Sequence, residues 1–190
     1  MTTAPCRLLL PAALLLALAG CAPADSPAAT VPGDAAAAPG GAAPTITVAD
    51  SCDTIAGAVA PYIEGLVAEE SNAEPFNEWG GACNWREPDT ATDLSEIRSV
   101  EVVVSLQTGE TAESLAELAE SGYFELVDAP GAARVGGIAH AISIDAVAQV
   151  VVTSVMIPDV TVVVSGGRWE SVPSLDAEAA VPVAERLLGL

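Results

Sequence analysis

Apolar and polar positions alternate most regularly at Val100, Val102, Val104 and Leu106, which are interleaved with Glu101, Ser105 and Gln107. A period of two puts the first set on one face, so this stretch is expected to form a half-buried strand. A period near 3.6 appears at Ile55, Val59, Tyr62, Ile63 and Leu66 behind the capping residues Asp50 and Ser51. It predicts a first helix that Pro61 breaks or restarts. Asn72 to Gly81, with Pro75, Gly80 and Gly81, reads as a loop delivering Cys83 and Trp85 into a first strand, and Glu87 to Thr92 reads as another loop. Thr111 to Ser121 carries Ala112, Leu115, Ala116 and Ala119 on one stripe and Glu113, Glu117 and Glu120 outside it, with Gly122 placed to end a helix. Short apolar runs follow at Tyr123 to Val127, Ile138 to Ile144, Gln149 to Ile157 and Val160 to Ser165, separated by Pro130-Gly131, Asp145-Ala146 and Pro158-Asp159. They predict an antiparallel meander. Ser174 to Leu188 predicts a closing helix disturbed at Pro182. The expected class is α+β: a curved antiparallel sheet with an N-terminal, a middle and a C-terminal helix packed against it, an α/β sandwich.

The chain before this domain follows no such pattern. One cation, Arg7, precedes an apolar run from Leu8 to Ala19, and small residues lead into Cys21. This is the layout of a signal peptide over residues 1–20. The twelve-residue run would cover about 18 Å as a helix, against the roughly 30 Å of a bilayer's hydrocarbon core. Residues 22–44 comprise ten Ala, five Pro and three Gly among 23 positions. Such a composition buries too little apolar surface to offset its ordering entropy, so 21–44 is expected to be a tether and 45–190 the single folded domain. As a flexible chain the tether would hold the domain about 25 Å from its point of attachment.

Of the four cysteines, Cys6 falls in the leader and Cys21 at its end. Cys52 and Cys83 remain, and two cysteines in an exported domain read as one disulfide. The domain has one His and no second Cys pair, so a metal site is not expected.

Charge narrows the partners. The chain has 26 Asp and Glu against 6 Arg and no Lys, a formal net charge of −20. Nucleic acids and anionic headgroups are held by clusters of Lys and Arg, so nucleic-acid binding is excluded. The same acidity is read as a solvated face that stands the domain off a membrane, with a basic partner or divalent cations as the sharper alternatives. Every Ser or Cys nucleophile would depend on the sole histidine, His140, within Ile138-Ala139-His140-Ala141-Ile142. In such a run it reads as a partly buried strand residue before it reads as a base. No Gly-x-Ser-x-Gly elbow, calcium-loop spacing or phosphate-loop spacing occurs. No catalytic residue and no cofactor is therefore expected. Among the tryptophans, Trp85 reads as core beside Cys83, and Trp79 on a loop either covers the core edge or faces a partner.

Leu18-Ala19-Gly20-Cys21 resembles the lipobox of bacterial lipoproteins. The resemblance implies cleavage before Cys21, a diacylglyceryl thioether on its sulfur and N-acylation, for instance by palmitate; two or more acyl chains make a stable anchor. Together with the tether, Ser51-Cys52-Asp53 at a helix start, Gly81-Ala82-Cys83-Asn84-Trp85 and Gly166-Gly167-Arg168-Trp169, it is similar to small actinobacterial lipoproteins catalogued only as a domain of unknown function. Their layout is similar to that of the extracellular sensor domains of some bacterial Ser/Thr kinases. The resemblance implies a Cys52–Cys83 pair and a binding, sensing or accessory role at the extracytoplasmic face of the cell membrane, without catalysis. The expected ligand is a protein or a small molecule. The competing expectations are a carrier of an apolar lipid held between sheet and helices and, third, a hydrolase using His140.

Overall fold

The computed structural model describes residues 46–88, 97–144, 149–170 and 172–190. The leader, Cys21, the tether, the far part of the loop after Glu87 and the Asp145-Ala146 turn lie outside the described residues.

Helix α1 (Cys52–Val59) starts where Ser51 Oγ accepts the Thr54 N–H at 3.4 Å. It is shorter than its apolar spacing predicts. Pro61 ends it, and a 3-10 turn over Ala60–Tyr62 takes its place. Strand β1 (Val67–Ala68) is a two-residue edge that no alternation announces. Strands β2 (Gly80–Arg86) and β3 (Ser99–Leu106) pair antiparallel, with Cys83 opposite Val102 and Trp85 opposite Val100. Helix α2 (Ala112–Glu120) buries Leu115, with Ser114, Leu118 and Ala119 half-buried beside it, whereas Ala112 and Ala116 of the expected stripe are exposed. Its start is a capping box in which Thr111 and Ser114 exchange side-chain and backbone hydrogen bonds, and Gly122 follows it with φ 70°.

Strand β4 (Glu125–Val127) follows, and then a further departure from expectation. Pro130-Gly131 is not a bare turn but opens a five-residue helix, α3 (Pro130–Arg134). Proline at the first helical position is pre-set in φ and lacks an N–H that would have had no partner there. Strands β5 (Ile138–Ile144), β6 (Val150–Ile157) and β7 (Val160–Gly167) form the meander, and α4 (Ala177–Leu187) closes the chain. The cap of α4 is Asp176, which accepts the Ala179 N–H at 3.2 Å, so the helix begins three residues later than Ser174 predicts. Pro182 sits on its exposed side and does not end it.

All seven strands form one antiparallel sheet in the order β1-β2-β3-β7-β6-β5-β4. The expected class holds: an α+β domain with helices packed on an open sheet. One side of the sheet carries Cys83, Trp85, Val100, Val102, Val104, Val155, Ile157, Val162 and Val164, all buried. Ile55 and Val59 of α1 and Val181, Ala184 and Leu187 of α4 pack over them. Each aliphatic side chain of this layer contributes about 1.5–3 kcal/mol by leaving water. Contact is close enough to exclude side chains in places. A Cβ on Gly166 would lie 2.6 Å from that of Leu175, and one on Gly81 would enter the Phe76 ring. The disulfide joins Cys52 of α1 to Cys83 of β2, with Cα atoms 5.6 Å apart, and so ties the helix layer to the sheet.

Candidate functional site

The other side of the sheet presents Val103, Val163, Val150 and Val152 half-buried, and it changes character toward β5 and β4. Because the side-chain period is two, the alternation that puts Ala139 in the core puts His140, Ile142 and Ile144 on this side. The pairing Leu126↔His140 adds Leu126. Strand β4 pairs only with Ala139 to Ala141, so Ile142, Ser143 and Ile144 have no strand on their outer edge among the described residues. The result is an apolar group in water, with Ile142 47% exposed, Ile144 53% and Leu126 49%; Tyr123, two residues before β4 in the chain, is 85% exposed. Such a cluster at a sheet margin marks an interaction surface far more specifically than isolated exposed aliphatics do.

Phe124 anchors this group from within. Its ring stacks on the imidazole of His140 with centroids 4.4 Å apart and an interplanar angle of 27°. His140 is thereby buried, and burial pushes its pKa below the ordinary 6.5. Its Nδ1 has no hydrogen-bond partner in the described structure. Ser154 is its cross-strand neighbour on the same side, but no hydrogen bond joins the two and no carboxylate orients the ring among the described residues. A nucleophile and base need that hydrogen bond and that orientation. The surroundings account for His140 as a flat apolar platform under Phe124.

Trp79 is 61% exposed and so does not cover the core edge. Its loop is firmly held. The Trp79 N–H donates to Asn77 Oδ1 at 2.8 Å, its carbonyl accepts the Leu106 N–H at 2.9 Å, and Gln107 Nε2 donates to the Glu78 carbonyl at 3.0 Å. Gly80, with φ 110°, makes the turn possible because a Cβ there would strike the Val104 carbonyl. By strand register, Trp79 lies at the end of the sheet marked by Leu106, Val160 and Ile157. Ile144 lies at the end marked by Val150 and Gly167. The two exposed apolar features are thus not brought together. Trp85 is buried beside Cys83, as expected of a core residue.

Cys21 lies outside the described residues. No helix among the described residues is long and apolar enough to cross a membrane. No group of three His, Cys, Asp or Glu among them is arranged to hold a metal ion. Sequence reasoning missed Tyr123, Phe124, Leu126, Ile142 and Ile144 as site residues. The available signal was a length mismatch, since the run around Glu125 is too short to flank all of Ile138 to Ile144.

No protein-family model matches the chain, and no curated protein or solved structure matches it either. The functional reading therefore rests on the residues themselves.

Proposed function

We propose that this chain is a lipid-anchored extracytoplasmic protein, held at the cell membrane through acyl chains on Cys21, whose domain binds a partner protein and carries out no catalysis of its own. In layout it stands with the small actinobacterial lipoproteins that its Cys-x-Trp segment and lipobox resemble. The observation that carries the binding role is the water-exposed apolar group Leu126, Ile142 and Ile144, with the exposed Tyr123 shortly before β4 in the chain, on an otherwise strongly acidic domain. Aromatic and aliphatic side chains grouped at a margin lose little entropy on docking and gain the transfer free energy of the area they bury. A surface site is favoured over lipid carriage because side chains of α1 and α4 pack in one cluster with those of the sheet. Leu175, just before α4, meets Gly166 of β7 closely enough to exclude a Cβ there.

Photo-crosslinking from position 123 of the full chain in its own membrane tests the binding role. Adducts of protein mass are expected, and lipid-mass adducts alone, or none, would overturn it. The anchor is tested separately: Cys21→Ala should release the chain into the medium, and retention on the membrane would refute lipidation at that cysteine.

A further inference from the structure

Edge strands usually carry a device against unwanted pairing: a lysine, a proline, a bulge or a covering loop. Ile142-Ser143-Ile144 at the end of β5 has none of these among the described residues. The chain that could have extended β4 alongside it turns away instead, since Phe124 leaves the sheet edge to stack on His140. What is left is a stretch of edge backbone flanked on one side of the sheet by Leu126, Ile142 and Ile144, all exposed.

We propose that this edge is a strand-addition site for an extended segment of the partner protein in which β-branched residues alternate with Lys or Arg. The inference rests on the docking reading above and specifies its chemistry. Main-chain hydrogen bonds to β5 would supply affinity, and the alternate side chains of the guest strand would pack on Ile142 and Ile144. Charge decides the other half of the guest's pattern. Glu125 of β4, opposite Ala141, is exposed at this edge, and the chain as a whole carries a net charge of −20. Arg98 and Arg168 are engaged by Glu87 and Asp176, Arg86 by Glu69, Arg134 precedes the opposite end of β5, and Arg186 lies in the last turn of α4. A basic guest is therefore attracted. A second copy of this chain would bring an equal negative charge to the same edge.

The test uses the full chain in neutral detergent micelles and a short synthetic peptide alternating Val and Lys. Its controls are a Val/Glu peptide and a Val/Lys peptide with an N-methylated backbone. Hydrogen exchange is followed amide by amide. The Val/Lys peptide should slow exchange at residues 142–144 about tenfold. The Val/Glu peptide should bind about tenfold more weakly. The N-methylated peptide should give no protection, and Ile144→Lys should abolish binding of the Val/Lys peptide while leaving the melting temperature unchanged. Equal binding of the N-methylated peptide would replace strand addition by simple apolar contact, and equal binding of the Val/Glu peptide would remove the charge selection. Concentration-dependent self-association protecting the same amides would make the occupant a second copy. Any of these overturns the proposal. Failure of the peptide with protein adducts still formed at position 123 would refute strand addition and leave docking standing.

Discussion

Replacing both Cys52 and Cys83 by Ala opens a loop whose ends lie 31 residues apart. In the chain-entropy treatment the lost constraint is about 2.1 + 1.5R ln 31 ≈ 12 cal/mol/K, or about 3.7 kcal/mol at 25 °C. Set against a typical stability of about 5–15 kcal/mol, that is a large fraction of the total. The effect acts mainly on the unfolded chain. The loop holds α1, β1 and the Trp79 segment, which the folded state also ties to the sheet without the bridge. Asn72 supplies two of these ties: its Nδ2 donates to the Asn84 carbonyl and its Oδ1 accepts the Asn84 N–H, both at 2.8 Å. Urea unfolding followed by the fluorescence of the buried Trp85 gives the magnitude. The double variant should lose about 3–4 kcal/mol and show a steeper denaturant dependence, because its unfolded chain is free to expand. A loss below about 1 kcal/mol with an unchanged slope would refute the reasoning, since the loop would then be constrained in the unfolded chain without the bridge.

Thr153 Oγ1 is buried in the valine-rich core with no hydrogen-bond partner among the described residues, so Thr153→Val should raise stability by about 1 kcal/mol in the same urea assay. Gly166→Ala should cost about 1–3 kcal/mol, because the new methyl would lie 2.6 Å from Leu175 Cβ in a close-packed layer; a neutral result would mean that α4 and its approach yield easily. His140 has a folded-state pKa below its unfolded value of 6.5, so the unfolded chain takes up its proton first. The stability its burial favours is complete above 6.5 and is lost as pH falls from there toward the depressed value. His140→Leu should remove that part of the fall in urea midpoint between neutral and mildly acid pH, and an unchanged pH profile would show that other groups produce it.

Much of this architecture is legible in the residues because it depends on local periodicity. Val100 to Leu106 declares its faces by alternation, Thr111 declares a helix start by its side chain, and Cys52 and Cys83 are the pair left once Cys6 is read as part of the leader and Cys21 as the expected lipid site. What stays hidden depends on partners remote in sequence. Strand β3 is inserted beside β7, about 60 positions later, through Val102↔Val164 and Val104↔Val162, and no local pattern encodes such a neighbour. The two-residue β1 exists because β2 offers it an edge, not because Val67 and Ala68 prefer a strand. The candidate site fell into the same gap. Alternation puts Ile142 and Ile144 on one face, but whether that face is covered turns on how far β4 runs and on where Phe124 goes. His140 was legible as a strand residue, whereas its ring contact with Phe124 was not.

Docking at the end of β5 requires that this edge be occupied when the protein is in its own membrane. Amide hydrogen exchange at residues 142–144, compared between native membranes and the purified chain in detergent, measures this directly. Slow exchange is expected in the membrane and fast exchange after extraction, while core amides such as those of Val102 and Val164 stay equally protected in both. Equally fast exchange at 142–144 in the two settings would contradict docking there.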